Sequence, residues 1–135
     1  MISTRGRYAS RFMIDLAEQP DGTLVPLGDT AKRQGISKKY LEIVVKQLVA
    51  AGMVKGVSGK GGGYCLLREP HEYTALEVLQ TTEGSLAPVA CLRDGAEECP
   101  RRDHCQTLPM WTKFDSLVND FFEGITIADL AEGRV

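Results

Sequence analysis

No apolar run in this chain approaches the roughly 20 residues that a membrane-spanning helix needs. The longest, such as Leu41 to Val49, are broken by Glu42 and Lys46. The N-terminal MISTRGRYASRF has basic residues but no apolar stretch behind them, so no secretory leader is expected and the protein is placed in the cytoplasm. No internal repeat or low-complexity segment is present. Catalytic signatures are also missing: there is no H-E-x-x-H, no dinucleotide fingerprint and no nucleophile paired with a base. The two histidines, His71 and His104, fall in loop-like segments without partners. The glycine run 59–63 does not make a phosphate-binding loop, because Gly59-Lys60 is followed by Gly61 rather than Ser or Thr, and Val54 stands five residues earlier. The chain is therefore not expected to be an enzyme.

What remains is a chain of 135 residues, 43% apolar, enough for one compact core or a small domain with an appended helix. Its net charge of −2 hides an asymmetry. Residues 1–70 carry eleven Lys or Arg against six Asp or Glu, a balance of +5, whereas the remaining residues carry five against twelve, a balance of −7. A basic N-terminal part can neutralise phosphates while the acidic remainder faces water or another subunit.

Helical spacing of Ala9, Met13, Leu16 and Ala17 predicts an amphipathic helix over 4–18, ended by Pro20-Asp-Gly22. Thr23 to Val25 is too short to be more than an extended connector. A short helix over 27–34 closes at Gly35, and Ser37 caps a second helix whose buried stripe is Leu41, Val44, Val45 and Leu48. That pair is a helix-turn-helix candidate. Two strand-like runs, 53–57 and 64–67, flank the basic, glycine-rich tip 58–63, and a hairpin directly after such a helix is a wing. A further helix is expected over 75–81, capped by Thr74. Beyond an irregular stretch, Trp111, Phe114, Val118, Phe121 and Ile125 repeat at spacings of 3, 4, 3 and 4, with Leu108, Leu117 and Phe122 beside them. This heptad-like seam points to pairing with a second copy.

Cys91, Cys99 and Cys105 stand as C-x7-C-x5-C in the polar segment 82–106, unlike buried structural cysteines, whereas Cys65 in the strand pattern reads as core. Thiolates there suit an iron–sulfur cluster; zinc remains an alternative although the C-x2-C knuckle is missing.

Thr4-Arg-Gly-Arg-Tyr-Ala9, Ile36-Ser-Lys-Lys-Tyr-Leu-Glu42, Ala51-Gly-Met-Val54, Gly61-Gly-Gly-Tyr64, Glu83-Gly84 and Ile125-Thr-Ile-Ala-Asp-Leu130 occur in the order found in the IscR/NsrR-type family of bacterial winged-helix regulators, which the chain resembles from about residue 3 to 130. The resemblance implies a mainly α fold with a small β-hairpin wing: a winged helix-turn-helix domain (1–81), a cysteine-containing sensor loop (82–106), and a long dimerisation helix with a C-terminal segment (107–135). It further implies a homodimeric repressor of double-stranded operator DNA with no membrane association. By the same resemblance, Ser37, Lys38, Lys39 and Tyr40 face the major groove, Glu42 discriminates bases, and Arg5, Arg7 and Lys46 hold the backbone.

The wing departs from the family. Ser58 stands where an arginine is expected, leaving Lys60 to approach the minor groove without arginine's planar fork. A three-cysteine cluster, 2Fe–2S or 4Fe–4S, is implied at Cys91, Cys99 and Cys105. Its completing ligand is not carried over: Leu108 occupies the position of one branch's histidine and Arg7 that of the other branch's acid. Asp103, His104, Glu97 and Glu98 are local candidates. Two other readings are a cluster-free thiol switch and a regulator controlled by binding a metabolic enzyme.

Overall fold

The structure is a computed structural model, and residues 2–135 are described. Helix α1 (Thr4–Ala17) buries Ala9, Phe12, Met13 and Leu16, one face of a 3.6-residue repeat. It is the central element, packed by the second, third, fourth and sixth α-helices. Helix α2 (Leu27–Gln34) ends on Gly35 in the left-handed conformation, φ 64°, where a glycine carries no Cβ penalty. Helix α3 (Lys38–Ala50) starts at Ser37, whose hydroxyl accepts the Tyr40 N–H at 3.4 Å, and buries Leu41, Val44, Val45 and Leu48.

Strands β1 (Val54–Val57) and β2 (Gly63–Leu66) pair antiparallel with Val54 opposite Leu66 and Val57 opposite Gly63. The connector 23–25 does more than expected: Val25 and Tyr64 exchange N–H···O bonds of 2.9 Å each, adding a third strand-like edge to the hairpin. This close pass explains Gly63, at φ 153°, where a Cβ would fall 2.5 Å from the Val25 carbonyl carbon and 2.8 Å from the Pro26 nitrogen.

A short 3₁₀ turn at Pro70–Glu72 leads into α4 (Ala75–Glu83), capped by Thr74 and two residues longer than its sequence pattern indicates. The loop that follows contains only single 3₁₀ turns at Ala90–Leu92 and Arg102–His104. Helix α5 (Leu108–Glu123) buries none of its residues completely. The chain then returns to the first half of the molecule. Helix α6 (Ile127–Ala131) opens with a Thr126/Asp129 capping box and packs on α1 through the fully enclosed Ile127. An Ala75 N–H bond to the Ile125 carbonyl (2.7 Å) and an Ile127 N–H bond to the Tyr73 carbonyl (3.0 Å) fasten this return to the start of α4. Both ends of the chain therefore share one core, formed around Phe12, Met13, Leu41, Leu48, Tyr73, Val78 and Ile127.

Candidate nucleic-acid interface and sensor loop

Two anchors orient the helix-turn-helix. Asp15 of α1 is buried and accepts two hydrogen bonds from the Arg33 guanidinium (2.9 and 2.8 Å) and one from the Thr30 hydroxyl (2.7 Å). Burial pushes its carboxyl up, but the hydrogen bonds from Arg33, Thr30 and Gln34 outweigh this and hold it below the usual carboxylate range. On the other side of the motif the Tyr40 ring meets the Tyr8 ring edge-on at 5.3 Å, with Arg11 5.6 Å above Tyr8. Tyr40 is consequently half-buried and braces α3 against α1. Ser37, Lys38, Lys39, Glu42 and Lys46 are exposed along α3.

Glu42 and Lys46 line a groove between α3 and the wing together with Val49, Val57, Ser58 and Tyr64. Lys60 stands exposed at the wing tip, between Gly59 and Gly61, both with positive φ. Arg5 and Arg7 are exposed on the first two turns of α1; neither lines that groove.

The wing itself is aimed by Tyr73, which sequence reasoning passed over. Its ring is fully enclosed, its hydroxyl donates to the Met53 carbonyl (2.6 Å) and accepts the Leu67 and Arg68 N–H groups (3.0 Å each). One side chain thus ties the residue before β1 to the residues after β2. Arg68 lies 4.2 Å above the ring and pairs with Glu77 at 2.6 Å. The available signal was only a tyrosine between a proline and a helix cap.

In the loop, Cys91 is exposed and Cys99 and Cys105 are half-buried; all four cysteines are free thiols. Cys65, expected in the core, is half-buried on β2. Hydrogen bonds from the Thr107 hydroxyl and backbone and from the Leu108 N–H, with Arg101 nearby, hold the Cys105 thiol below its ordinary pKa at the start of α5. Among the described residues, no three His, Cys, Asp or Glu side chains stand close enough to hold a metal ion. Three thiols on one polar loop match a thiophilic cluster in donor type, and seating one requires the loop to draw them together. Glu97, Glu98, Asp103 and His104 are all exposed on that loop.

A short helix, a glycine turn, a second helix rich in exposed cations and a hairpin behind it define a winged helix-turn-helix protein. The chain belongs to the Rrf2 family, described as "Iron-dependent Transcriptional regulator", which it matches over residues 2–133. It is 34% identical over 133 residues to the HTH-type transcriptional regulator IscR of Pectobacterium atrosepticum, spanning 98% of this chain and 80% of that protein. Against IscR of Aliivibrio salmonicida the identity is 36% over 129 residues, 96% of this chain and 76% of the relative. Among solved structures, CymR, the global cysteine regulator of B. subtilis, superposes with a TM-score of 0.78 at 34% identity, over 98% of this chain and 96% of that one. T. potens IscR gives 0.77 at 30% identity, over 100% and 88%. The oxidized form of Staphylococcus aureus CymR gives 0.74 at 30%, over 98% and 96%. These relatives are transcriptional regulators rather than enzymes. Among the described residues, no helix is long and apolar enough to cross a membrane.

Proposed function

We propose that this protein is a dimeric repressor that reads operator DNA with α3 and its wing, and that thiol chemistry in the loop between α4 and α5 sets its affinity. The observation that carries the proposal is the groove in which Glu42 and Lys46 of α3 face Ser58 and Val57 of the wing. A major-groove helix with a flanking hairpin has this form, and the net positive N-terminal half supplies the phosphate-neutralising charge. Arg5, Arg7, Lys38, Lys39 and Lys60 serve phosphates, while Glu42 can accept a hydrogen bond from cytosine N4 and is repelled by the backbone, so it selects sequence.

Dimerisation is supported by α5. Met110, Phe114, Leu117 and Phe121 form an exposed stripe at spacings of 4, 3 and 4, with Leu117 at 68% and Phe121 at 61% exposure. A continuous apolar ridge of this kind on a regulator of palindromic sites fits a second copy.

For the sensor, Cys91, Cys99 and Cys105 would hold a 2Fe–2S or 4Fe–4S cluster, with a fourth donor from the loop or from outside it. Such a group, when bound, supplies oxygen- and nitric-oxide-sensitive chemistry at the loop that joins α4 to α5. A second reading is a direct thiol switch, favoured by the lowered pKa of Cys105 and by the likeness to CymR.

Selection of a site from random duplex DNA by anaerobically purified protein tests the DNA-reading part. The expected result is a palindromic site bound with steep salt dependence, and Glu42→Ala relaxing one base position per half-site. Binding without sequence preference would contradict it.

A further inference from the structure

Ile43 is an isoleucine on the solvent face of α3 with 54% of its surface exposed. It lies one helical turn after Lys39 and just under one turn before Lys46, both exposed, and beside exposed Glu42. A large apolar side chain in the middle of a cationic ridge contributes nothing to the core, whose α3 residues are Leu41, Val44, Val45 and Leu48. We infer that Ile43 is a specificity residue that packs against the 5-methyl group of a thymine in the major groove, next to the base pair read by Glu42. This rests on the DNA-reading function proposed above.

The chemistry selects that occupant. Isoleucine neither donates nor accepts, so against guanine, adenine or cytosine edges it strips water from polar groups and returns no hydrogen bond. Thymine alone of the four bases presents an apolar group in the major groove. The lysines on either side bring phosphates to both flanks of the ridge and so hold Ile43 over the groove floor. Preference at this position therefore comes from burying a methyl group and from rejecting unpaired polar edges.

The test uses the full-length protein and the duplex it selects from a random library. Each thymine fixed in the selected site is replaced singly by dU, which removes the methyl group and keeps every hydrogen-bonding atom. At one thymine per half-site, wild-type affinity should fall about four-fold, the scale of one lost methyl burial. Ile43→Ala should bind dT and dU duplexes equally while keeping its cytosine preference through Glu42, which also shows that the variant is folded. Ile43→Gln, able to hydrogen-bond, should shift the preferred base away from thymine. Wild-type indifference to dU at every fixed thymine, or an Ile43→Ala variant that still separates dT from dU, overturns the inference and leaves DNA reading standing. A protein that selects no sequence overturns both.

Discussion

Glu83, the last residue of α4, caps the first turn of α1 at Gly6. One carboxylate oxygen accepts the Ser3 N–H (2.8 Å), the Ser3 hydroxyl (2.7 Å) and the Gly6 N–H (3.2 Å). A helix N-terminus leaves its first N–H groups unpaired and carries positive charge, so a carboxylate from elsewhere can replace the usual cap. Any Cβ at position 6 would run into that carboxylate and approach Leu79. The contact joins the turn that carries Arg5 and Arg7 to the last residue of α4, where the chain enters the loop to α5.

Glu83→Ala should lower stability by about 1–2 kcal/mol, the scale of a lost cap, as read from urea unfolding. Gly6→Ala should be destabilising in the wild type and much less so in the Glu83→Ala background. Additive effects of the two changes would show that the carboxylate is not what requires glycine.

Asp15 gives a pH signature. Its folded-state pKa is held below the ordinary 3.8, because the hydrogen bonds from Arg33, Thr30 and Gln34 exceed the opposing effect of burial. A depressed carboxyl stabilises the fold at pH values above its unfolded pKa, and that contribution is lost as pH falls through the folded value. Asp15→Asn should cost about 2–3 kcal/mol near neutrality and flatten the acid limb of a stability profile. An unchanged acid limb would remove Asp15 from its cause.

Tyr73→Phe should leave the Met53 carbonyl and the Leu67 and Arg68 N–H groups without their partner. The expected cost is about 1–3 kcal/mol, with faster amide exchange concentrated in β1 and β2. Exchange unchanged at both strands would mean that the wing is aimed by its other contacts.

Cys105 should react with iodoacetamide along a pH profile displaced to lower pH than an ordinary thiol, since its anion is stabilised by Thr107, by the Leu108 N–H and by Arg101. Thr107→Val should move that profile upward and slow alkylation near neutral pH. A profile insensitive to this substitution would assign the reactivity to another cause.

The helix-turn-helix and the wing were legible because each carries local signals: a stripe at helical spacing, Gly35 closing α2, Ser37 opening α3, and glycines at a hairpin tip. What escaped is non-local. Ser3 and Glu83 are 80 residues apart, and no pattern near either announces their bond. Helix α6 has five residues, too few for a periodicity; its one local signal is the Thr126/Asp129 capping box, and its packing on α1 buries Ile127. Spacing draws the seam on α5 through Trp111, Phe114, Val118, Phe121 and Ile125, with Leu108, Leu117 and Phe122 beside it, whereas the most exposed stripe runs through Met110, Phe114, Leu117 and Phe121. Apolar residues occupy more than one face of that helix, with Trp111, Val118 and Phe122 half-buried, and spacing alone cannot say which face the domain takes. In the loop between α4 and α5 the residue types were readable, but whether three thiols separated by seven and five residues converge depends on loop closure, which no local pattern encodes.

The most direct test of the account is an anaerobic titration of the selected operator with wild-type protein and a Cys91→Ala, Cys99→Ala, Cys105→Ala variant, each after reconstitution with iron and sulfide and again after chelation. The wild type is predicted to change affinity at least about ten-fold between the two states, a differential of roughly 1.4 kcal/mol, and the triple variant to bind identically in both. Equal wild-type affinity in the two states, or a triple variant that still responds, would contradict control of DNA binding by these three thiols through a cluster.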